Sequence, residues 1–352
     1  MIATMLARIS LALMLVSSAL VAAAWITMRR PVDMQLNSCR NCSDVERILR
    51  SVSGVYHERE YTSDVILLNA NYGYLDFLVN WVCMSNKLNI KFVVLSLDDE
   101  LHHHLKNSTS IPSISGHAFN ISSPPGFSNF ASRDFTIINY QKFVAIHSIL
   151  ATGHNVLYSD ADTVLLEDPV PHLRKDVDFE FQTDSDYPEL KIDGIPCAGF
   201  FYAKSTENAK NLLRRTMDGV VDSNFTKMEQ FVMADIIREM RNSGDAVYIP
   251  RNNKPPVTDK LMIRQLDSMS FVNGGIFFAG NYEERRKAAG VSTVMVHANF
   301  LSGSEQKRNK LRERGLWRTV AQEESCEDEV NCYGRFGDKW LRCADDGEEL
   351  AA

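Results

Sequence analysis

Two aspartates separated by one residue follow an apolar run in the sequence NVLYSDADTVLLEDPV, residues 155–170. The apolar run predicts a buried strand, and side chains on a strand alternate with a period of two. We therefore expect Asp160 and Asp162 to point the same way, with Ala161 facing the core. Two carboxylates directed at one point repel each other unless a cation lies between them. Since hard divalent ions prefer oxygen ligands, the pair predicts a Mn²⁺ or Mg²⁺ site.

The same SDAD sequence is also acceptable in a turn, where acidic residues are common. A short motif gains weight only from its structural context. Here an apolar strand precedes the aspartates, an apolar TVLL follows them and a long predicted helix lies ahead of the strand. This context favours a ligand site, although the turn remains an open alternative.

Strands and amphipathic helices alternate along the chain from residue 64 onward. Apolar segments with strand character are DVILLNA, IKFVVLSLDD, NVLYSD, DVDFEFQTD, CAGFFYAKST, AVYIP, SMSFVNGGIFFAG and STVMVHANF. Helical spacing occurs in YGYLDFLVNWVCMSNKL, TIINYQKFVAIHSILATG, TENAKNLLRRTMDG and KMEQFVMADIIREMRN. Residues 107–134, rich in Ser, Asn, Pro and Gly, predict a long loop. The alternation predicts an α/β fold with a doubly wound sheet, in which ligands bind beyond the carboxyl ends of strands.

The composition is that of an ordinary globular protein. Of the 352 residues, 45% are hydrophobic and 24% are charged, and the formal net charge is -7. A nucleic-acid-binding protein normally shows a basic surface. The balance of charge therefore argues against a nucleic-acid partner, and leaves room for a local basic pocket that binds an anion.

The N-terminus carries an uncharged apolar segment at residues 9–28, flanked by Arg8, Arg29 and Arg30. About twenty such residues suffice to span a bilayer. We predict a signal anchor that crosses the membrane once, with the body in the lumen of the Golgi or endoplasmic reticulum. A cleaved signal peptide and a secreted protein form the alternative, because AAA at residues 22–24 resembles a cleavage site.

Sequons and cysteines agree with a lumenal location. Four Asn-X-Ser/Thr triplets begin at Asn41, Asn107, Asn120 and Asn224, so we predict a glycoprotein. In an oxidising lumen most of the seven cysteines are expected to form disulfide bonds. The odd number leaves at least one thiol free, and Cys83 and Cys197 lie in apolar surroundings. The predicted organisation is a signal segment at 1–30, a stem at 31–63, a catalytic domain at 64–320 and a Cys-containing tail at 321–352.

Seven segments occur in an order that resembles a known family. They are LLNANYGYLDFLVNW, NYQKFVAIHSIL, the strand with Asp160 and Asp162, CAGFFYAKST, MEQ, NGGIFF and VHANFLSG. The chain from about residue 64 to residue 317 resembles the nucleotide-diphospho-sugar transferases of the GT-A fold. It is most similar to the group of plant cell-wall xylosyl- and arabinosyltransferases and related galactosyltransferases. The resemblance implies a single Rossmann-like catalytic domain with a GT-A-like mixed sheet.

The resemblance also implies roles for individual residues. A metal site is implied for Asp160, Asp162 and His297; binding of the nucleotide sugar for Asn69, Asn71, Tyr72, Lys142, Asp160 and Lys307; and a catalytic pocket for sugar and acceptor for Asp184, Asp186, Glu229 and Gln230. Each type of residue has a structural alternative. A strand histidine can serve the core, an NANY segment can cap a turn, lysines can be solvated, and a glutamate complements a helix dipole.

The implied activity is that of a metal-dependent retaining glycosyltransferase. It would move a sugar from a nucleotide diphosphate, UDP above all, to a hydroxyl of a glycan or glycoprotein in the secretory pathway. Retention permits a covalent carboxylate intermediate or same-face attack assisted by the leaving diphosphate. The alternative function is a catalytically inactive lumenal carbohydrate-binding protein on the same fold. A two-metal phosphohydrolase would require a larger set of scattered ligands.

Overall fold

A computed structural model describes residues 42–53, 64–123, 126, 132–185, 194–322, 332–345 and 348. The predicted signal segment, residues 9–28, lies outside them, as do most of the predicted stem, Asn41 and Asp186. Within the part of the chain that is described, no helix combines the length and the apolar character needed to cross a bilayer.

The described residues form nine α-helices and fourteen strands. The helices are α1 (Cys42–Val52), α2 (Leu75–Lys87), α3 (Asp99–Ser108), α4 (Arg133–Ala151), α5 (Glu207–Asp222), α6 (Glu229–Ser243), α7 (Gly274–Phe277), α8 (Tyr282–Ala289) and α9 (Ser304–Glu313). The strands are β1 (Asp64–Ala70), β2 (Val93–Ser96), β3 (Ser113–Ser115), β4 (Asn155–Asp160), β5 (Thr163–Leu165), β6 (Phe179–Thr183), β7 (Pro196–Ala203), β8 (Ala246–Tyr248), β9 (Leu261–Gln265), β10 (Phe271–Asn273), β11 (Met295–His297), β12 (Thr319–Gln322), β13 (Cys332–Phe336) and β14 (Lys339–Cys343).

The main sheet has eight strands in the order β3-β2-β1-β4-β7-β6-β9-β8. Strand β7 is antiparallel to both of its neighbours, and every other adjacent pair is parallel. The predicted α/β class with a large mixed sheet is confirmed. Because β1 and β4 are adjacent and parallel, Asn69 lies opposite Asp160 and their carboxyl ends meet at one edge.

The centre of this sheet is apolar on both faces. Strand β1 is buried along its length, as expected for a strand that is covered on both sides. Ile66 and Leu68 belong to one cluster together with Leu78 and Trp81 of α2. Helix α4 packs against β4. This packing fixes the strand ends that carry Asn69 and Asp160.

A second sheet has three strands in the order β10-β11-β5. Strands β10 and β11 are parallel, and β11 is antiparallel to β5. In this register His297 lies opposite Thr163, the residue that follows Asp162. The second sheet therefore brings the end of β11 to the turn after β4.

The segment predicted as a C-terminal tail forms regular structure. Strands β12, β13 and β14 make a third, antiparallel sheet. A disulfide bond joins Cys83 of α2 to Cys343 of β14, which lies 260 residues further along the chain. The expectation that Cys83 belongs among the free thiols is thus wrong, because the third sheet packs on α2. Cys197 is buried and free.

Two local predictions also differ from the structure. Residues 113–115 of the predicted long loop form β3 at the edge of the main sheet, because they pair with β2. The segment GGIF, residues 274–277, predicted as part of a strand, forms the short helix α7. Its helical turn starts there because the side chain of Asn273 accepts a hydrogen bond from the backbone N–H of Ile276.

Candidate active site

The first part of the site is the turn between β4 and β5. Strand β4 ends at Asp160, and Asp162 lies in the turn before β5. The prediction that both aspartates share one strand is therefore wrong in its local geometry, because pairing along β4 stops at Asp160. A turn and a ligand site nevertheless coincide here, since both carboxylates face His297.

Tyr158 fixes the orientation of Asp160. Its hydroxyl lies 2.5 Å from Asp160 Oδ1 and also contacts Asn69 Oδ1 at the end of β1. The tyrosine is fully buried, so its hydrogen bonds compete with no solvent. Asn69, predicted for the nucleotide sugar, thus shares the Tyr158 hydroxyl with Asp160 as a second acceptor.

His297 supplies a third ligand atom. Its Nε2 lies 3.3 Å from Asp162 Oδ1 and 3.9 Å from Asp160 Oδ2. Its Nδ1 lies 2.9 Å from Gln182 Oε1, an acceptor, so Nδ1 carries the hydrogen. A second hydrogen-bond partner of this kind is typical of metal-binding histidines. Burial lowers the pKa of His297, but the carboxylate of Asp162 outweighs it and holds the pKa well above its usual value.

Gly199 of β7 leaves open the space between these groups. A Cβ atom at this position would overlap both the ring of His297 and the carboxylate of Asp160. One ligand atom each from Asp160, Asp162 and His297 lies within 4.8 Å of the others. Two carboxylates and an imidazole form a donor set that suits a divalent cation such as Mn²⁺. The residues therefore fit the predicted metal.

Two lysines border the cluster in different ways. Lys307 of α9 donates to Asp162 Oδ2 at 2.5 Å and keeps a fifth of its side chain exposed. Lys142 of α4 is buried and lies 3.4 Å from Glu229 Oε1 and 3.8 Å from Asp160 Oδ1. Burial lowers the pKa of Lys142, yet the two carboxylates outweigh that effect and raise it. Lys142 is thus a buried cation beneath Asp160, whereas Lys307 is accessible.

Asp184 lies beside this cluster, just beyond β6, and is held by three groups. Its Oδ1 accepts from Asn299 Nδ2 at 2.7 Å, and its Oδ2 accepts from Gln230 Nε2 at 2.5 Å. Its backbone N–H donates to the carbonyl of Ile195 at 2.7 Å. Gln230 Oε1 in turn accepts from the N–H of Ala198 at 3.2 Å. The structure therefore brings Asp184 and Gln230 together, and both the nitrogen and the oxygen of the Gln230 amide form hydrogen bonds.

Glu229 is separate from this pair, although it precedes Gln230 in the chain. Its carboxyl group is buried and faces Lys142 rather than Asp184. Glu229 also begins helix α6, where a negative charge complements the helix dipole. The arrangement makes it a counter-ion for Lys142.

The NANY segment, residues 69–72, runs from the end of β1 into a helical turn that begins at Tyr72. Asn71 Nδ2 donates to the carbonyl of Gly126 at 2.6 Å. The Tyr72 ring lies edge-on to His104, with ring centroids 5.7 Å apart, and its backbone N–H donates to Asp98 at 2.7 Å. The structure places these two residues at the same strand end as Asn69, and their role in binding a nucleotide stays a prediction.

Four residues of the site were not predicted from the sequence. Tyr158 and Gly199 lie within segments already noted, LYSD and CAGF, and Tyr158 shares the strand face of Asp160 through the period of two. Gln182 and Asn299 reach the site only through pairing of distant strands, so no local signal identifies them.

Comparison with known proteins identifies the chain. The family model described as nucleotide-diphospho-sugar transferase matches residues 88–311, more than half of the sequence. The chain belongs to the nucleotide-diphospho-sugar transferase family. Its predicted class as a glycosyltransferase is thereby confirmed, and the matched range includes every residue of the metal-ligand cluster.

Named relatives of this transferase are distant in sequence. It is 24% identical to a UDP-galactose:fucoside alpha-3-galactosyltransferase of Dictyostelium discoideum, over 72% of this chain and 43% of that protein. It is 25% identical to a UDP-D-xylose:L-fucose alpha-1,3-D-xylosyltransferase of Arabidopsis thaliana, over 72% of this chain and 69% of the relative. The transferase thus spans less than half of the galactosyltransferase.

Solved structures of glycosyltransferases are also similar to this transferase. The galactosyltransferase LgtC in complex with donor and acceptor sugar analogues has a TM-score of 0.42 and 12% identity, covering 66% of this chain and 86% of that one. Mouse xyloside xylosyltransferase 1 has a TM-score of 0.37 and 9% identity, covering 68% and 99%.

Proposed function

We propose that this transferase moves a sugar from a UDP-sugar to a glycan hydroxyl, with a divalent cation at Asp160, Asp162 and His297 and with retention of configuration. The observation that supports the proposal most is the convergence of these three ligand groups around Gly199.

The cation would supply positive charge against the diphosphate of the leaving nucleotide. Other residues of the chain orient the groups that would hold the cation. Tyr158 and Lys142 hold Asp160 in one orientation, while Gln182 directs Nε2 of His297 toward the carboxylates. Lys307 provides an accessible ammonium that can pair with a phosphate oxygen.

Asp184 is the carboxylate that we assign to the sugar side of the reaction. It is oriented by Asn299 and Gln230, and Asn299 follows His297, the last residue of β11, by two residues. Glu229 has its carboxylate against Lys142, and Gln230 is an amide that cannot form a carboxylate intermediate. Of the three predicted catalytic residues, we therefore assign contact with the substrate to Asp184.

We extend the proposal to the acceptor and the compartment. The named relatives use UDP-galactose or UDP-D-xylose as donors and fucose-containing acceptors, so we propose these donors and a fucoside as first substrates. The apolar segment at residues 9–28 supports a lumenal enzyme anchored in the Golgi or endoplasmic reticulum membrane. A disulfide bond between Cys83 and Cys343 accords with an oxidising compartment.

The test is release of UDP from a panel of UDP-sugars by the purified protein, with Mn²⁺ or with a chelator. We expect metal-dependent release from one donor, and a loss of more than about a hundredfold in Asp162→Asn, on the scale of one removed electrostatic group. Asp176→Asn, which removes an exposed carboxylate that pairs with Arg174, serves as control and should be unchanged. Metal-independent release, or full activity of Asp162→Asn, would refute the proposed metal site. Binding of Mn²⁺ and UDP without turnover of any donor or acceptor would instead support the carbohydrate-binding alternative.

A further inference from the structure

Exposed large hydrophobic side chains are few in the described part of the chain. There are four, namely Ile195, Phe231, Val257 and Phe300. Isolated hydrophobic residues at a surface are common, but a group of them beside a site indicates a contact surface. Three of the four are linked through the chain to one residue, Asp184.

Ile195, Phe231 and Phe300 each lie at a residue that bonds to Asp184 or next to one. Ile195 accepts from the backbone N–H of Asp184, Phe231 follows Gln230, and Phe300 follows Asn299. These three hydrophobic residues are called the apolar collar below. Each residue of the collar thus supplies, or directly follows, a hydrogen-bond partner of Asp184.

Phe300 is held in an unfavourable backbone conformation. Its φ angle is 61°, in the left-handed region that bulky residues rarely adopt. Phe225 also has such an angle, but its ring packs on Tyr140 with centroids 5.4 Å apart. Phe300, in contrast, leaves 51% of its surface exposed. Strain of this kind persists where neighbouring structure imposes it, and it is concentrated at functional sites.

The neighbours of Phe300 show what imposes the conformation. A Cβ atom on Gly275 would lie 3.3 Å from Phe300 Cγ and 3.3 Å from Asn273 Oδ1, so the ring lies over this glycine. Asn273 Nδ2 donates to the carbonyls on both sides of Asp184, those of Thr183 and Ser185, at 3.2 and 3.0 Å. The ring is thus tied to the Asp184 segment from two directions, through Asn299 and through Asn273.

An aromatic face next to an oriented carboxylate matches the chemistry of a pyranose. Such a sugar has one face of C–H groups that packs on an aromatic ring, and hydroxyls at its edge that donate to a carboxylate. A 6-deoxyhexose adds a methyl group to its apolar surface. We infer that Phe300, with the rest of the apolar collar, forms the acceptor platform on which the terminal pyranose stacks while a hydroxyl donates to Asp184. This inference rests on the proposed function and specifies its acceptor site.

The test separates stability, donor binding and acceptor binding. In Phe300→Asn the ring is lost, while asparagine tolerates the left-handed region. We expect an equal or higher melting temperature, unchanged Mn²⁺–UDP binding by calorimetry, and an acceptor KM raised about three- to tenfold, the scale of one aromatic contact. Phe300→Tyr should restore the KM, and Val257→Ala, an exposed hydrophobic residue outside the collar, should leave it unchanged.

The acceptor probes are methyl α-L-fucoside, methyl β-D-galactoside and methyl β-D-xyloside. Transfer of the donor sugar to each probe gives the KM, and saturation-transfer NMR with Mn²⁺ and UDP present detects binding of each probe. Saturation of the C–H protons of one sugar face in the wild type, lost in Phe300→Asn, would support the platform. A KM that changes less than twofold in Phe300→Asn would overturn the platform. So would saturation that is equal in wild type and variant for all three probes, which includes the case of no saturation in either protein. Mn²⁺–UDP binding that persists in that case would leave the proposed function standing, whereas its absence from the wild type would refute the proposed function itself.

Discussion

The accessible lysine of the site makes a prediction that separates metal binding from nucleotide binding. Lys307 donates to Asp162 Oδ2 at 2.5 Å, so its ammonium neutralises a carboxylate that the metal would also need. Replacing Lys307 with methionine keeps most of the side-chain volume and removes the charge. We expect the variant to bind Mn²⁺ alone more tightly and to bind UDP in the presence of Mn²⁺ more weakly.

The size of the first effect follows from the charge removed. Two unit charges 4 Å apart interact by about 1 kcal/mol in water and about 4 kcal/mol at an effective dielectric constant of 20, and a divalent ion doubles these figures. The side chains of Lys307 and Asp162 are only 20% and 11% exposed, so the lower figure, about 2 kcal/mol, is a minimum. Since about 1.4 kcal/mol corresponds to a tenfold change in Kd, Mn²⁺ should bind more than tenfold tighter. For UDP, a lost hydrogen bond between charged groups, about 1.5–3 kcal/mol, weakens binding at least tenfold.

Isothermal titration of metal-free protein with Mn²⁺, and then of the Mn²⁺ form with UDP, measures both constants. Lys310→Met is the matched control, because Lys310 lies on the same helix and pairs with Glu313 at the surface. Both constants of the control should stay within twofold of the wild type. Mn²⁺ affinity that is unchanged or lower in Lys307→Met would show that Lys307 and the metal do not share Asp162, and would refute the electrostatic reasoning.

Three further predictions address the supports of the site. Gly199→Ala should fold with a free energy of unfolding lower by about 1–3 kcal/mol, as for other overpacked positions. In calorimetry it should bind Mn²⁺ at least tenfold more weakly, because its Cβ would lie against the His297 ring and the Asp160 carboxylate. Normal affinity would show that Mn²⁺ does not bind between these groups. Lys142→Met should lower the free energy of unfolding in urea by about 3–5 kcal/mol, because it leaves the buried Glu229 unpaired; the double variant with Glu229→Gln should regain much of that loss, and strict additivity would argue against the pairing. Cys343→Ser should lower the melting temperature in scanning fluorimetry, since its disulfide closes a 260-residue span worth about 5 kcal/mol in unfolded-chain entropy. Cys332 is disulfide-bonded as well, so a reductant should lower the melting temperature of the wild type by more than that of the variant; equal shifts would argue against a stabilising Cys83–Cys343 bond.

The sequence predicts those parts of the structure that depend on local pattern. The continuous apolar runs of β1 and β4 indicate strands covered on both faces, and the structure places them side by side in the main sheet. The polar residues at their ends, Asn69 and Asp160, could therefore be expected at one edge. The α/β class and the transferase family follow from such segments and their order.

Parts of the fold that depend on distant contacts could not be predicted in this way. The strand period places Asp160 and Asp162 on one face, but the strand ends between them, because β5 leaves β4 to pair with β11. Their convergence comes from the turn and from His297, not from alternation. Likewise, nothing near Cys83 indicates a partner 260 residues away. Pairing of that kind is set by the packing of a whole sheet.

The two lysines show how burial separates roles that the sequence assigns alike. Both were predicted, from the family resemblance, to bind the nucleotide sugar. Lys142 is buried and has two carboxylate neighbours, so its charge orients Asp160 and neutralises Glu229. Lys307 has one carboxylate neighbour and remains accessible. A buried, doubly paired cation cannot leave its partners without a large desolvation cost, whereas a partly exposed one can exchange a carboxylate for a phosphate at a lower cost. Binding of metal and nucleotide should therefore move Lys307 and leave Lys142 in place. The two variants should differ accordingly: Lys307→Met changes ligand affinity, and Lys142→Met changes stability.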